Sequence, residues 1–432
     1  MIKHRIRNPF RDAILFKFFL CSVVILTACS SKKDEKVIDF WAMGAEGEFV
    51  SKLVPGFEKK NPGIRVKVQM IPWTAAQEKL ITAFASGNTP DICQLGNTWV
   101  PQFAALKAIL PLNDFVKKSS SLKKENYFEG IWDTNLIDSL VYGIPWYIDT
   151  RVLFYRKDVL EDAGYAEPPK TWAELLDASK KIKKNFAGED KYPIYLPTNE
   201  WAPFVIFGLQ AGSSILKNNG CYGNFSGAAF KKSFEYLIDF HKQKLAPIGI
   251  SQVTNIYQAF VDKYINMYIS GPWNINEFKK WMKDDLSDKW MTAPLPGPDE
   301  STPGVSLAGG SSLVVFAVSE KKELVWKFIE YLSEPETQIE FYKLVNDLPA
   351  VKEAWNDSTF SNDKYIHAFY EQFFHVVATP KIPEWEQIAF SKIQQYAEIA
   401  SRGTMTIDEA LKALDTDVNL ILEKRRWMLG KE

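Results

Sequence analysis

From residue 37 onward the chain switches repeatedly between two hydrophobic periods. Val37-Ile38-Asp39-Phe40-Trp41 has the character of a strand, and Phe49, Leu53, Val54 and Phe57 then recur at helical spacing until Asn61-Pro62-Gly63 breaks the run. Ile64-Arg65-Val66-Lys67-Val68 alternates with period two. Leu80, Ile81 and Phe84 mark a second helix that ends at Gly87-Asn88, and Asp91-Ile92-Cys93-Gln94-Leu95 is a third strand. Strand, helix, strand, helix, strand predicts a parallel sheet covered by helices on both faces.

A second region follows. Val152-Leu153-Phe154-Tyr155 reads as a new buried strand, with a domain crossing at Trp146 to Thr150. The next helix has a clear start: Thr171 caps it, Glu174 completes a capping box, and Trp172, Leu175, Leu176 and Ile182 form its apolar stripe. Pro and Gly then cluster in "APLPGP" and "LAGGSSLVVFAV" before another strand, which suggests a return to the first domain. The C-terminal third is helical. Its last helix opens with a Thr406/Glu409 capping box and carries Ile407, Leu411, Leu414, Val418 and Ile421. The expected fold is two doubly wound α/β lobes joined by hinge segments, the N-terminal lobe at 37–147 and 292–340 and the C-terminal lobe at 148–291 and 341–432.

The first residues follow another logic. "MIKHRIRNPFR" is basic, and "FFLCSVVILTA" is apolar but too short for a stable membrane anchor. The run ends in Leu26-Thr27-Ala28-Cys29, which resembles a bacterial lipobox. Residues 1–28 are then a lipoprotein signal peptide, Cys29 is the lipidated first residue, and 29–36 form a polar tether. The expected location is extracytoplasmic, with the body held to the membrane by lipid. Composition adds exclusions. A length of 432 residues suits two domains, and a net charge of −1 without a basic stripe argues against nucleic acid. Cys21, Cys29, Cys93 and Cys221 form no CxxC pair and have no nearby His, so no metal site, cofactor or disulfide framework is expected.

Ligands of open α/β sheets bind at the carboxyl ends of strands, so the loops there are the candidates. They share a composition: "WAMGAEGE", "GNTWVPQF", "PWYIDTR", "PTNEWAPF", "GPWNINEF", "LAGGSS" and "KIPEWEQ". Nearly every one sets a Trp or Tyr beside an amide, hydroxyl, carboxylate or Gly. Carbohydrate demands that combination, because an apolar ring face stacks on an aromatic while hydroxyls bond to planar polar groups. The candidate ligand-binding residues are Glu46, Asn97, Thr98, Trp99, Tyr147, Asp149, Asn199, Trp201, Trp273, Gly309, Gly310 and Trp385. Trp172, Trp281, Trp290 and Trp326 are read as packing residues. Three rival readings stand beside these. They make Glu46 a first-turn carboxylate, Asp149 and Arg151 a hinge ion pair, and Gly309-Gly310 a tight turn.

These phrases, with "PGFEKKNPGIRVKV", "PPKTWAELL" and the late "RGTMTIDEAL", resemble the extracellular sugar-binding proteins of ATP-driven importers, the group that includes maltose-binding protein. The resemblance spans essentially the whole chain after the signal. It implies a periplasmic-binding-protein-like, Venus-flytrap fold whose lobes close on a saccharide, delivery of that saccharide to an ABC permease, a monomeric state and no catalysis. Family positions carry over to Glu46, Trp273, Gly309-Gly310 and Trp385. One slot departs: many relatives have an acidic residue after the third strand, where this chain has Gly96, followed by Asn97 and Thr98. An enzyme is the first rival, and a glycoside hydrolase would need paired carboxylates such as Glu46 and Glu384. His241, His367 and His375 form no metal or triad pattern. The alternative within binding proteins is a non-transport glycan-capture or sensor-associated surface lipoprotein.

Overall fold

A computed structural model describes residues 36–249 and 253–430. Cys29 and the signal peptide lie outside the described residues, as does all of the tether except Lys36. Nine strands build the two larger sheets. In chain order they are β1 (Val37–Met43), β2 (Arg65–Ile71), β3 (Ile92–Gly96), β4 (Ile144–Asp149), β5 (Val152–Arg156), β6 (Met267–Ser270), β7 (Trp290–Ala293), β8 (Gly309–Val315) and β9 (Leu348–Pro349).

The first sheet has the order β9-β4-β8-β3-β1-β2. β1 runs parallel to both β2 and β3, as the strand–helix alternation requires. β8 lies antiparallel between β3 and β4. Side-chain alternation gives this sheet two cores. Ile92, Leu313 and Val315 enter the one that also holds Phe40, Phe57 and Phe328, while Cys93, Leu95 and Val314 enter the other beneath Leu80 and Phe103. Phe328 meets Phe57 and Phe40 at centroid distances of 4.9 and 5.6 Å, fixing the helix Lys322–Leu332 on the first face.

The second lobe is also α/β, but its sheet is small, with the order β6-β5-β7 and both outer strands antiparallel to β5. Leu153, Tyr155, Met267 and Ile269 face a core shared with the helices Trp172–Asn185, Ala202–Gln210, Ala228–Lys242 and Ile407–Ile421. Both capping boxes form, Thr171 with Glu174 and Thr406 with Glu409. On the opposite face Phe154 stacks on Phe278 at 5.1 Å, and Trp290 on Tyr365 at 3.9 Å.

The lobe limits shift from those expected. The boundary at 292 falls inside β7, which Trp290 ties to the second sheet. The boundary at 340 falls inside the helix Pro335–Val345, and β9 then pairs with β4 of the first sheet. The boundary at 147 moves to the end of β4 at Asp149. The boundaries at 147 and 292 lie in buried runs, whose periodicity does not say which sheet receives them. The one at 340 lies in an amphipathic helix, whose pattern does not say which lobe it covers. The chain passes between lobes at 150–151 and again beside the parallel pair Ser306–Leu307 and Val376–Val377. Among the described residues no helix is long and apolar enough to cross a membrane.

Candidate functional site

Register brings the strand-end loops together. β8 is antiparallel, so its beginning lies on the edge where β3 and β4 end: Gly309 faces Asp149, Gly310 faces Ile148, and Ser311 faces Gly96. Asp149 and Tyr147 approach so closely that a Cβ on Gly309 would meet Asp149 Oδ1 at 2.2 Å, and one on Gly310 would meet the Tyr147 carbonyl at 2.3 Å. Gly310 also has φ +110°, a conformation only glycine adopts readily. The pair is therefore required by the backbone as well as placed at the site. In the second sheet Ser270 faces Val152, which sets Arg151 beside the turn Pro272–Asn274.

A cavity of about 410 Å³ opens where these loops meet. Glu46, Asn97, Thr98, Trp99, Tyr147, Asp149, Trp201, Trp273, Gly309 and Gly310 line it. A larger depression of about 840 Å³ lies at the opposite end of β3, beside the ion pair of Asp91 and Lys321, and contains no Trp. Only the smaller cavity carries the strand-end chemistry.

Its floor is a hydrogen-bonded network. The Tyr147 hydroxyl donates to Glu46 Oε1 at 2.7 Å and accepts from Gln94 Nε2 at 3.0 Å and Ser311 Oγ at 2.9 Å. Gln94 is held in turn by the Met43 amide, which donates to its Oε1 at 2.7 Å. Glu46 is thus buried and partnered, so its carboxylate is more than a helix-dipole neighbour. Burial pushes the Tyr147 hydroxyl well up, and the charges of Asp347 and Glu46 add to that. Asp149 is raised by burial and partly restored by Arg151, whose Nη1 lies 3.0 Å from Asp149 Oδ1. Burial also raises Asp347 well above its ordinary value, reinforced by Glu46 and Asp149. Asn97 Oδ1 accepts the Ser312 hydroxyl at 2.9 Å, while its Nδ2 is buried without a partner.

Aromatic rings supply the walls. Trp73 meets Trp99 edge-on at 5.7 Å on the first lobe, and Trp201 meets Phe390 edge-on at 5.8 Å on the second. Trp273 is 51% exposed, with the Arg151 guanidinium 4.5 Å over its ring. Across the cavity Glu386 faces the Thr98 and Trp99 side chains, which favour its charged form; burial still raises its carboxyl overall.

Two expected residues do not reach the cavity. Trp385 is fully buried in the second core, edge-on to Trp201 at 5.7 Å, because it shares the inward stripe of Ile388, Ala389 and Ile393. Its neighbours Glu386 and Phe390 face the cavity instead. Asn199 is exposed and absent from the lining, which takes Trp201 from the same loop. Glu384 faces Arg425 at 3.9 Å and also lies outside the cavity, so the carboxylate pair imagined for a hydrolase is not assembled. Among the described residues no cluster of His, Cys, Asp and Glu is arranged to hold a metal.

Sequence reasoning passed over Trp73, Asp347, Glu386 and Phe390, and weighed Arg151 only as an ion-pair partner. Trp73 carried a signal: "IPW" after β2 repeats the strand-end, Pro, Trp pattern of "GPW" after β6. Asp347 carried none, since "NDLP" looks like an ordinary turn.

The chain matches the family described as bacterial extracellular solute-binding protein over residues 42–339. The sugar-binding protein MalE from the phytopathogen Xanthomonas citri is 46% identical, with a TM-score of 0.88, over 92% of this chain and 100% of that one. The diacetylchitobiose binding protein DasA of Streptomyces coelicolor is 25% identical over 94% of this chain and 97% of its own length. The maltooligosaccharide ABC transporter solute-binding lipoprotein of Streptococcus pneumoniae is 26% identical over 87% of this chain and 89% of its own.

Proposed function

We propose a ligand and a seat for it in a chain that belongs to the bacterial extracellular solute-binding proteins and captures sugar for an ABC importer, as a binding protein rather than an enzyme. The ligand is an uncharged oligosaccharide held in the interlobe cavity. The observation that carries this reading is the alternation of indole faces with fixed polar groups: Trp73, Trp99, Trp201 and Trp273 line the same space as Glu46, Asn97, Thr98, Tyr147 and Asp149. Rings accept the apolar faces of pyranoses, and the polar groups accept or donate to hydroxyls between them. Gly309 and Gly310 bring backbone to the same surface. Malto-oligosaccharides and diacetylchitobiose are the first sugars to test, after the names of the relatives.

Mass spectrometry of ligand released from natively purified protein, followed by calorimetric titration of maltotriose and diacetylchitobiose, tests this reading. Saccharide in the released fraction and saturable binding of at least one sugar are expected. Release of an amino acid, peptide or metal chelate, with neither sugar bound, would reject it.

The mature protein acts as a monomer anchored through Cys29, and its closed lobes dock on a membrane permease. The lipobox at residues 26–29 and the lipoprotein relative support the anchor. Cys29→Ser should abolish labelling by a fatty-acid analogue while the soluble body keeps its sugar affinity. Label retained in the variant would remove Cys29 from this role.

A further inference from the structure

Trp273 is the most exposed tryptophan of the cavity: it sits on a short turn after β6 and is half exposed. Something must fix its plane before it can serve as a platform, since a freely rotating indole loses rotamer entropy on every binding event. Two features constrain it. Gly271 leaves room for the ring, because a Cβ there would lie 2.0 Å from Trp273 Cζ3. Arg151 covers a face, its guanidinium carbon 4.5 Å from the ring centroid.

Arg151 is itself held from both sides. Its Nη1 donates to Asp149 Oδ1 at 3.0 Å. Its backbone amide donates to Ser306 Oγ at 3.2 Å, and the Ser306 hydroxyl donates to its carbonyl at 2.9 Å. The residue stands between β4 and β5, where the chain passes from one lobe to the other. Asp149 belongs to the first sheet and Trp273 follows a strand of the second. A planar cation between them joins the carboxylate of one lobe to the ring of the other.

We infer that Arg151 is a positioning residue for Trp273: anchored by Asp149 and Ser306 at the lobe crossing, it clamps one face of the indole so that the remaining face is presented to the sugar. This rests on the sugar reading given above only for its second test. The rival account makes Arg151 a hinge ion pair with Asp149 and nothing more. In that case the indole would be indifferent to its removal.

The first test needs no sugar. In protein labelled with ¹⁵N-tryptophan, the Trp273 indole resonance is identified by its disappearance in Trp273→Phe. Arg151→Ala should shift and broaden that resonance while the buried Trp172 and Trp326 signals stay in place. Arg151→Lys keeps a cation without the plane, guards against a folding defect in the alanine variant, and should give a smaller shift. A Trp273 resonance unchanged in both variants overturns the inference. The second test is a double-mutant cycle read by maltotriose affinity. Arg151→Ala should weaken binding by about two- to thirtyfold, the range of a cation–π contact. Combined with Trp273→Ala it should add little to the loss from Trp273→Ala alone. Strictly additive losses would overturn the clamp. Failure of the unmodified protein to bind maltotriose would reject that sugar and leave the resonance test to decide the role of Arg151.

Discussion

Two tryptophans show how differently one residue type is used in this molecule. Trp385 is fully buried among Ile388, Ala389 and Ile393, whereas Trp273 is half exposed on a cavity wall beneath Arg151. Truncating the first removes core volume, and Trp385→Ala should cost about 3–5 kcal/mol of folding stability. Truncating the second removes a ring face. Stacking contributes about 0.5–1.5 kcal/mol beyond area burial, and the buried area adds to that. Trp273→Ala should therefore weaken sugar binding by roughly tenfold to several hundredfold with little loss of stability, and Trp273→Phe should recover part of the affinity. Denaturant unfolding of the ligand-free variants and calorimetric titration separate the two. A Trp273→Ala protein that binds normally and unfolds early would reverse the assignment.

At the scale of elements, the helix start at Thr171 makes a contained prediction. Glu174 N donates to Thr171 Oγ1 at 3.2 Å, and Glu174 Oε2 accepts from the Thr171 amide at 3.3 Å. Thr171→Ala removes a cap and should lower stability by about 1 kcal/mol, measured as a shifted urea midpoint. Sugar affinity should stay level, because Thr171 lies outside the cavity, and a change in affinity would link this helix to the site. The box was legible because it is a local rule over four residues. The same holds for β1, β2 and β3, whose alternation is bounded by Gly, Pro and Asn. Sheet membership was less legible: β7 and β9 are short buried runs whose partners are chosen by tertiary packing. The Trp385 segment lies between these cases. Its stripe of Trp385, Ile388, Ala389 and Ile393 was present in the sequence and already turned Trp385 inward, with Glu386 and Phe390 on the other side. The π-helical turn at Ile388–Ile393 was not foreseeable, because a helix that inserts a residue per turn changes phase without a residue signature. Most of the cavity lining was readable because strand ends in α/β sheets converge. Asp347 was not, since only the pairing of β9 with β4 carries it there.

Across the whole molecule Glu386 of the second lobe comes up against Thr98 and Trp99 of the first, and the cavity they share holds carboxyl groups from several elements. Burial is the first cause of the raised pKa at Asp149, Asp347 and Glu386. Where opening the cleft wets them, these groups would return toward their ordinary values of 3.8 for Asp and 4.5 for Glu. An arrangement that buries them then binds more protons than one that wets them. A carboxyl whose pKa is higher in the closed state favours closure as pH falls through that raised pKa, and the bias fades as pH rises above it. Arg151 opposes the effect at Asp149, and the Thr98 and Trp99 donors oppose it at Glu386, so Asp347 should carry most of it. Small-angle scattering of ligand-free protein should show a smaller radius of gyration at acidic than at neutral pH. Saturating sugar should contract the protein at both values, because closure lets both walls contact the ligand. Asp347→Asn, neutral at every pH, should flatten the ligand-free dependence while leaving the sugar-driven contraction in place. A radius that rises on acidification, or a dependence that survives Asp347→Asn unchanged, would mean that these carboxyls do not govern closure.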